Sequence, residues 1–239
     1  MESLYSFNQS AYPFELFSLS HMSMILVTII LLVLLYFLRD RATRKTKTYI
    51  KYTLIAALIG GEVFFHGWYL ANNRWDIIYN LPLQLSSISI YLCTFMLVTK
   101  NYRVFEISFF ISMTSALIAI ITPELFFGAP HLRFFQFFIV HIAIVLACFY
   151  MVWFEGYKAT ATSVIRAFLV LNFIVGCVFI INHLTGANYM FLSRKPNNAT
   201  VIDLLGPYPW YILALEAIAL SSFILLYLAL FKRKTKRGD

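Results

Sequence analysis

Seven stretches of predominantly apolar residues, each about as long as a bilayer is thick, constrain this chain more than any other feature. They are Leu19–Leu38, Tyr52–Ala71, Leu81–Thr99, Val104–Thr122, Phe134–Phe154, Ala167–His183 and Trp210–Phe231. A helix rises about 1.5 Å per residue, so roughly 20 residues cross a hydrocarbon core of about 30 Å. Barrel strands are shorter and alternate lipid-facing with polar side chains, a pattern these stretches lack. The expected fold is all-α: a polytopic membrane helix bundle with seven transmembrane helices. It forms a single transmembrane domain over 1–239 with one long external loop, 184–209. The fourth stretch has the least margin, because its charge-free sequence runs only from Ile107 to Pro123.

Composition points the same way. The chain is 61% hydrophobic and 13% charged, whereas a soluble domain carries about 25% charged residues. A water-soluble core of this size could not hide so much apolar surface. Of the 19 Lys and Arg, all but Arg74, Arg133, Arg194 and Lys195 fall on one side of the alternating layout. They lie in 39–51, 100–103, 158–166 and 232–237. Basic loops stay cytoplasmic, which places the amino terminus outside and the carboxyl terminus in the cytoplasm of a multi-pass cell-membrane protein. The count holds only for an odd number of crossings, since one crossing more or fewer would mix the two sets.

The net charge of +8 therefore reads as attraction to anionic lipid headgroups, not nucleic acid. Membrane lipids are the expected partners. Nothing basic precedes Arg39, so a cleaved signal is not expected and Leu19–Leu38 should stay as an anchor. Cys93, Cys148 and Cys177 sit in apolar stretches without metal-type spacing and read as packing residues. Trp68, Tyr69, Trp75, Trp210 and Tyr211 would form an outer aromatic belt, with Tyr36, Tyr49, Tyr52 and Trp153 marking the inner one. Arg166 reads as a residue snorkelling to the inner surface. The Gly and Pro content of the 184–209 loop suggests a folded cap.

Ionisable groups inside a bilayer are costly and normally face a bundle interior or a watery cavity. Glu62, His66, His141, His183 and Glu216 need such an explanation. Glu62 and His66 share a face of the second helix, extended by Tyr69. Gln84, Ser87 and Tyr91 form a stripe on the third, with Ser86 alongside, and Asn172, Gly176 and His183 lie on one face of the sixth. Counted from the outer boundary, Gln84, His66 and Glu216 lie roughly 5–10 Å deep, and His141 and Glu62 roughly 12–14 Å. Five helices would thus contribute to one polar layer in the outer half. Interhelical hydrogen bonding is the plainer role for the Ser and Gln residues, and His183 and Trp68 read equally well as interfacial. The histidines are scattered without a metal-ligand pattern, so no metal and no cofactor is expected.

The motifs LPLQLSS (Leu81–Ser87), HLRFFQFFIVH (His131–His141) and NYMFLSRKP…LLGPYPWY (Asn188–Tyr211) resemble the bacterial YwaF-like integral membrane proteins over essentially the whole chain. That family is distantly similar to a eukaryotic multi-span protein regarded as a phospholipid acyltransferase with a cysteine and a histidine at its centre. By position the histidine matches His141. The cysteine falls within Leu81–Ser87, where this chain has none, so Ser86 or Ser87 would take its place beside a base, His141 or His66.

The expected function is binding of, or acyl transfer on, a lipid-type substrate in a polar cavity of the outer half. His141 would be the base and Ser86 or Ser87 the nucleophile. Gln84 or Asn182 would serve as oxyanion donor, and these two with Glu62, His66, His183 and Glu216 would line the substrate site. A proton-coupled or small-solute transporter is a second reading, using Glu62, His66, His141 and Glu216 as a relay, although the inner halves of the helices carry little polarity. A receptor or assembly factor using the outer cap is a third.

Overall fold

The structure, a computed structural model, describes residues 4–196 and 201–232. Among them are seven α-helices: α1 (Leu19–Leu38), α2 (Arg44–Ala71), α3 (Leu85–Thr99), α4 (Tyr102–Ile121), α5 (Leu132–Trp153), α6 (Ala161–Thr185) and α7 (Trp210–Leu230). Six are long and apolar enough to cross a membrane. The exception is α3, whose 15 residues span only about 22 Å.

The short helix is thus the third and not the fourth. Leu81–Gln84 stay outside α3 because their backbone groups are committed elsewhere. The Leu81 N–H donates to the Tyr189 hydroxyl (2.8 Å) and the Leu83 N–H to the Leu81 carbonyl (2.7 Å). Gln84 is extended at the N-cap position of α3, where its carbonyl accepts from the Ile88 N–H (3.0 Å) and its side chain makes no capping bond. By contrast α4 runs a full 20 residues and takes Arg103 and Glu106 into its first turns, capped by the Asn101 side chain on the Arg103 and Val104 N–H groups. The second helix starts at Arg44, where Thr43 caps the Thr46 N–H, so its basic leading turns are helical.

The helices alternate in direction, and contacts between their ends divide the bundle into a basic end and a capped end. At the basic end Lys47 donates to the Phe154 carbonyl (3.3 Å), Lys100 pairs with Glu155 (2.6 Å) and Tyr102 donates to the Lys158 carbonyl (2.8 Å). Helix α5 packs on α1, α2, α3 and α4, and α4 packs on α3, α5, α6 and α7. These two are buried over most of their length, whereas α1 and α7 lie at the rim and are mostly exposed.

Two contacts fix the hub. Gly61 on α2 faces α5 so closely that a Cβ there would sit 2.1 Å from Val140 Cγ2, which makes glycine a packing requirement. On α4, Glu106 is 1% exposed. Its carboxylate accepts four hydrogen bonds: Arg166 Nη1 donates to both oxygens at 2.9 Å, Ser163 donates at 2.5 Å and Arg103 at 3.1 Å. Arg166 is therefore the ion partner that ties α6 to α4, a role beyond snorkelling to a surface.

An amino-terminal strap, residues 4–18, lies across the capped end. The Trp68 indole N–H donates to the Tyr5 carbonyl (2.7 Å), and Phe7 stacks on Trp68 with centroids 5.0 Å apart. Trp68 is 1% exposed, so it anchors the strap and takes no part in an interfacial belt; Tyr211, at 0%, is likewise internal. Gly128 donates to the Tyr12 carbonyl (2.7 Å) and Phe14 to the Phe126 carbonyl (3.2 Å), and a Cβ on Gly128 would lie 2.6 Å from the Pro13 oxygen. His131 Nδ1 accepts the Arg133 N–H (3.1 Å), so its proton is on Nε2, which donates to the Ser6 carbonyl (3.0 Å). Burial pulls the His131 pKa below its usual value, a shift toward the neutral imidazole.

Candidate functional site

The polar centre of the capped half is built on α2, α3 and α5. Helical spacing places Glu62 and His66 one turn apart, and Glu62 is buried at 6% exposure. The Trp75 indole donates to His66 Nδ1 (3.0 Å), which leaves the proton on Nε2, 3.4 Å from Glu62 Oε1. The same oxygen accepts from the Tyr91 hydroxyl of α3 (3.3 Å). His66 is half-buried and Tyr91 is 45% exposed. A buried carboxylate is thereby connected to the bundle's outer wall through two polar side chains.

On the inward side lies Arg133, in the first turn of α5 and only 8% exposed. Its guanidinium sits 4.6 Å from the Phe65 ring centroid, 5.5 Å from Trp68 and 5.9 Å from Tyr69, a cation–π cage. Its Nη1 donates to the Gln136 side chain, whose amide donates in turn to the Gly61 carbonyl (2.9 Å). No carboxylate lies within ion-pair distance of it among the described residues. The Nε of Arg133 is buried without a hydrogen-bond partner.

His141 lies two turns deeper on the same helix. Its Nδ1 donates to the Phe137 carbonyl (2.7 Å) and its ring packs against Phe137 at 4.1 Å. That bond fixes the neutral tautomer with a lone pair on Nε2, and this atom too is buried without a partner. Buried polar atoms are nearly always paired; these two nitrogens on α5 are among six buried side-chain polar atoms of the described residues without a partner, the others belonging to Asn80, Thr94, Ser112 and Thr114.

The remaining candidates are spread over other parts of the bundle. Ser86 and Ser87 are half-buried in the first turn of α3, and among the described residues neither hydrogen-bonds to a histidine. The Gln84 side-chain oxygen accepts from the Met190 N–H (3.0 Å). Asn182 is fully engaged with Tyr189, donating to its carbonyl and accepting from its N–H, both at 2.9 Å. Tyr189 also donates to the Ile77 carbonyl at 2.5 Å, so Gln84 and Asn182 hold the described part of the 186–209 loop onto α3 and α6. His183 is exposed at the end of α6. Glu216 accepts from Asn172 (3.0 Å) between α6 and α7. Because α7 packs on α6 and α4 while α2 packs on α5 and α3, Glu216 belongs to a separate polar spot.

Arg133, Gln136 and Trp75 take part in the site although their sequence positions read as loop or lipid-facing. The available signal was a lone arginine in an aromatic run, RFFQFF, with a glutamine three residues on. Among the described residues no three His, Cys, Asp or Glu side chains come together as a metal-ion ligand set.

Comparison with known proteins gives one match: the model of the TMEM164 family fits residues 16–227. No curated protein and no solved structure matches the chain. The match covers all seven helices except the last residues of α7. It names the TMEM164 family, and the likeness to YwaF-like proteins read from the motifs stays a resemblance.

Proposed function

We propose that this chain, which belongs to the TMEM164 family, receives a lipid-type molecule sideways from the bilayer between α2 and α3. The polar end would meet Glu62, His66 and Tyr91, with Arg133 and His141 behind them. One observation carries this reading: Glu62 is buried, yet His66 and Tyr91 link it to a wall that is otherwise apolar and faces lipid. Intramembrane ionisable groups arranged in this way mark substrate paths. Acyl transfer on such a lipid would have Ser86 or Ser87 attack the ester carbonyl carbon while His141 Nε2 takes the hydroxyl proton. The bond from that carbon to the lipid's alcohol oxygen then breaks, and the alcohol leaves with the proton from His141. A second lipid hydroxyl takes the acyl group from the serine by the same steps. This requires the serine to reach that nitrogen in the loaded state.

The test uses membranes containing the full chain and a photoactivatable, alkyne-tagged phospholipid. Labelling should concentrate on peptides spanning 62–69 and 85–95, and it should fall several-fold in a His66→Leu/Tyr91→Leu variant. Labelling spread evenly over all helices and indifferent to that variant rejects the site. Unchanged turnover of a tagged acyl chain in His141→Ala would reject the acyl-transfer step while leaving binding intact.

The proposed layout is seven crossings of the cell membrane with the amino terminus outside and the capped end outward. It rests on the bias of basic residues toward the other end. A carboxyl-terminal fluorescent reporter that folds only in the cytoplasm should be bright, and a carboxyl-terminal phosphatase that works only outside should be silent. The reverse result overturns the orientation.

A further inference from the structure

The spot between α6 and α7 is used neither by the site above nor by the packing of the hub. Asn172 is exposed on the lipid-facing side of α6, and its amide donates to the Phe168 carbonyl (3.0 Å) and to Glu216 Oε2 (3.0 Å). Both of its donor hydrogens are thereby used. Its own oxygen and Glu216 Oε1 make no hydrogen bond among the described residues. A polar amide and a carboxyl at a lipid-facing rim are costly unless something covers them.

The surroundings say what fits there. Ile165, Leu169, Asn172, Gly176 and Ile180 follow one another at spacings of three and four and so form one stripe along α6. The three aliphatic members are 59–64% exposed, and around Gly176 there is open space within 4 Å of where a Cβ would be. A glycine one turn from an asparagine lets a second helix approach closely enough to hydrogen-bond. A carboxyl in hydrocarbon is cheaper as the neutral acid, and the acid form carries one O–H donor. The spot then holds one free donor, on Glu216 Oε1, and one free acceptor, Asn172 Oδ1. It is complementary to itself.

We propose that this stripe is the self-association surface of the protein. Two copies would meet through α6 about a two-fold axis, the Glu216 hydroxyl of each donating to the Asn172 oxygen of the other. In a two-fold contact the same patch serves both sides, which a patch with donor and acceptor side by side satisfies twice. This inference stands apart from the lipid-binding reading, since it uses none of the same residues.

The three cysteines supply the probe. Cys93 and Cys148 are buried, whereas Cys177, next to Gly176, is exposed. A bifunctional maleimide added to membranes holding the full chain should yield a product of twice the chain's mass, absent in Cys177→Ser. Asn172→Leu and Glu216→Leu should each remove most of that product, and Gly176→Leu should block it by bulk. Glu216→Gln keeps both a donor and an acceptor and should retain it. Photobleaching steps of singly tagged chains give the same comparison without a cross-linker, with two steps expected for the wild type and one for Asn172→Leu. Single steps for the wild type, a dimer indifferent to both leucine variants, or a cross-linked product containing another protein would each overturn the proposal.

Discussion

Arg166→Ala is expected to lower the stability of the purified protein in detergent by about 3 kcal/mol, the lower end of what stripping a partner from a buried charge costs. The cost arises on Glu106, which is 1% exposed and would keep only Ser163 and Arg103. Arg103 is itself mostly solvent-facing, at 65% side-chain exposure, so it replaces little of what Arg166 supplied. Removing both arginines should cost more than Arg166→Ala alone. A Glu106→Leu/Arg166→Leu pair should be less destabilised than Arg166→Leu, because two matched apolar groups leave no stranded ion. Thermal and denaturant midpoints of the wild type, Glu106→Leu, Arg166→Leu and the Glu106→Leu/Arg166→Leu pair form a double-mutant cycle. A pair that is merely additive would show that the contact does not couple α4 to α6.

Gly61→Ala is the second large effect, with an expected loss of about 1–3 kcal/mol from overpacking. The new Cβ would lie 2.1 Å from Val140 Cγ2, and a β-branched valine on a helix has little rotamer freedom with which to withdraw. The helices must therefore part, lengthening the bond from Gln136 to the Gly61 carbonyl and loosening the Arg133 cage. Val140→Ala in the same chain should restore most of the stability. Failure of that rescue would mean that the strain lies elsewhere. Gly60, one residue away, has open space around it, and Gly60→Ala should be close to neutral or mildly stabilising.

Legibility in the sequence varied with the kind of physics involved. The Glu62–His66 pair was readable because helical spacing alone puts the two on one face. Their link to Tyr91 and Trp75 was not, since it depends on how α3 and the α2–α3 connection sit against α2. The candidates grouped by depth separated by helix order: Glu216 has the right depth for the Glu62 cluster but lies across the bundle with Asn172. Gln84 and Asn182 are spent on the loop through Met190 and Tyr189.

By itself the sequence determined the helical class, the positions of the apolar stretches and the sorting of basic residues to one end. Those follow from chain length against bilayer thickness and from where charge is tolerated, both properties of single segments. Only the tertiary structure decided that α4 and α5 form the hub and α7 the rim, although their apolarity is alike. In lipid the inside and the outside of a bundle are equally apolar, so no amphipathic stripe reports which face packs. The burial of Arg133 and the pairing of Glu106 with Arg166 were decided there too, because a charge at a segment's edge looks the same in sequence whether it reaches water or a partner helix.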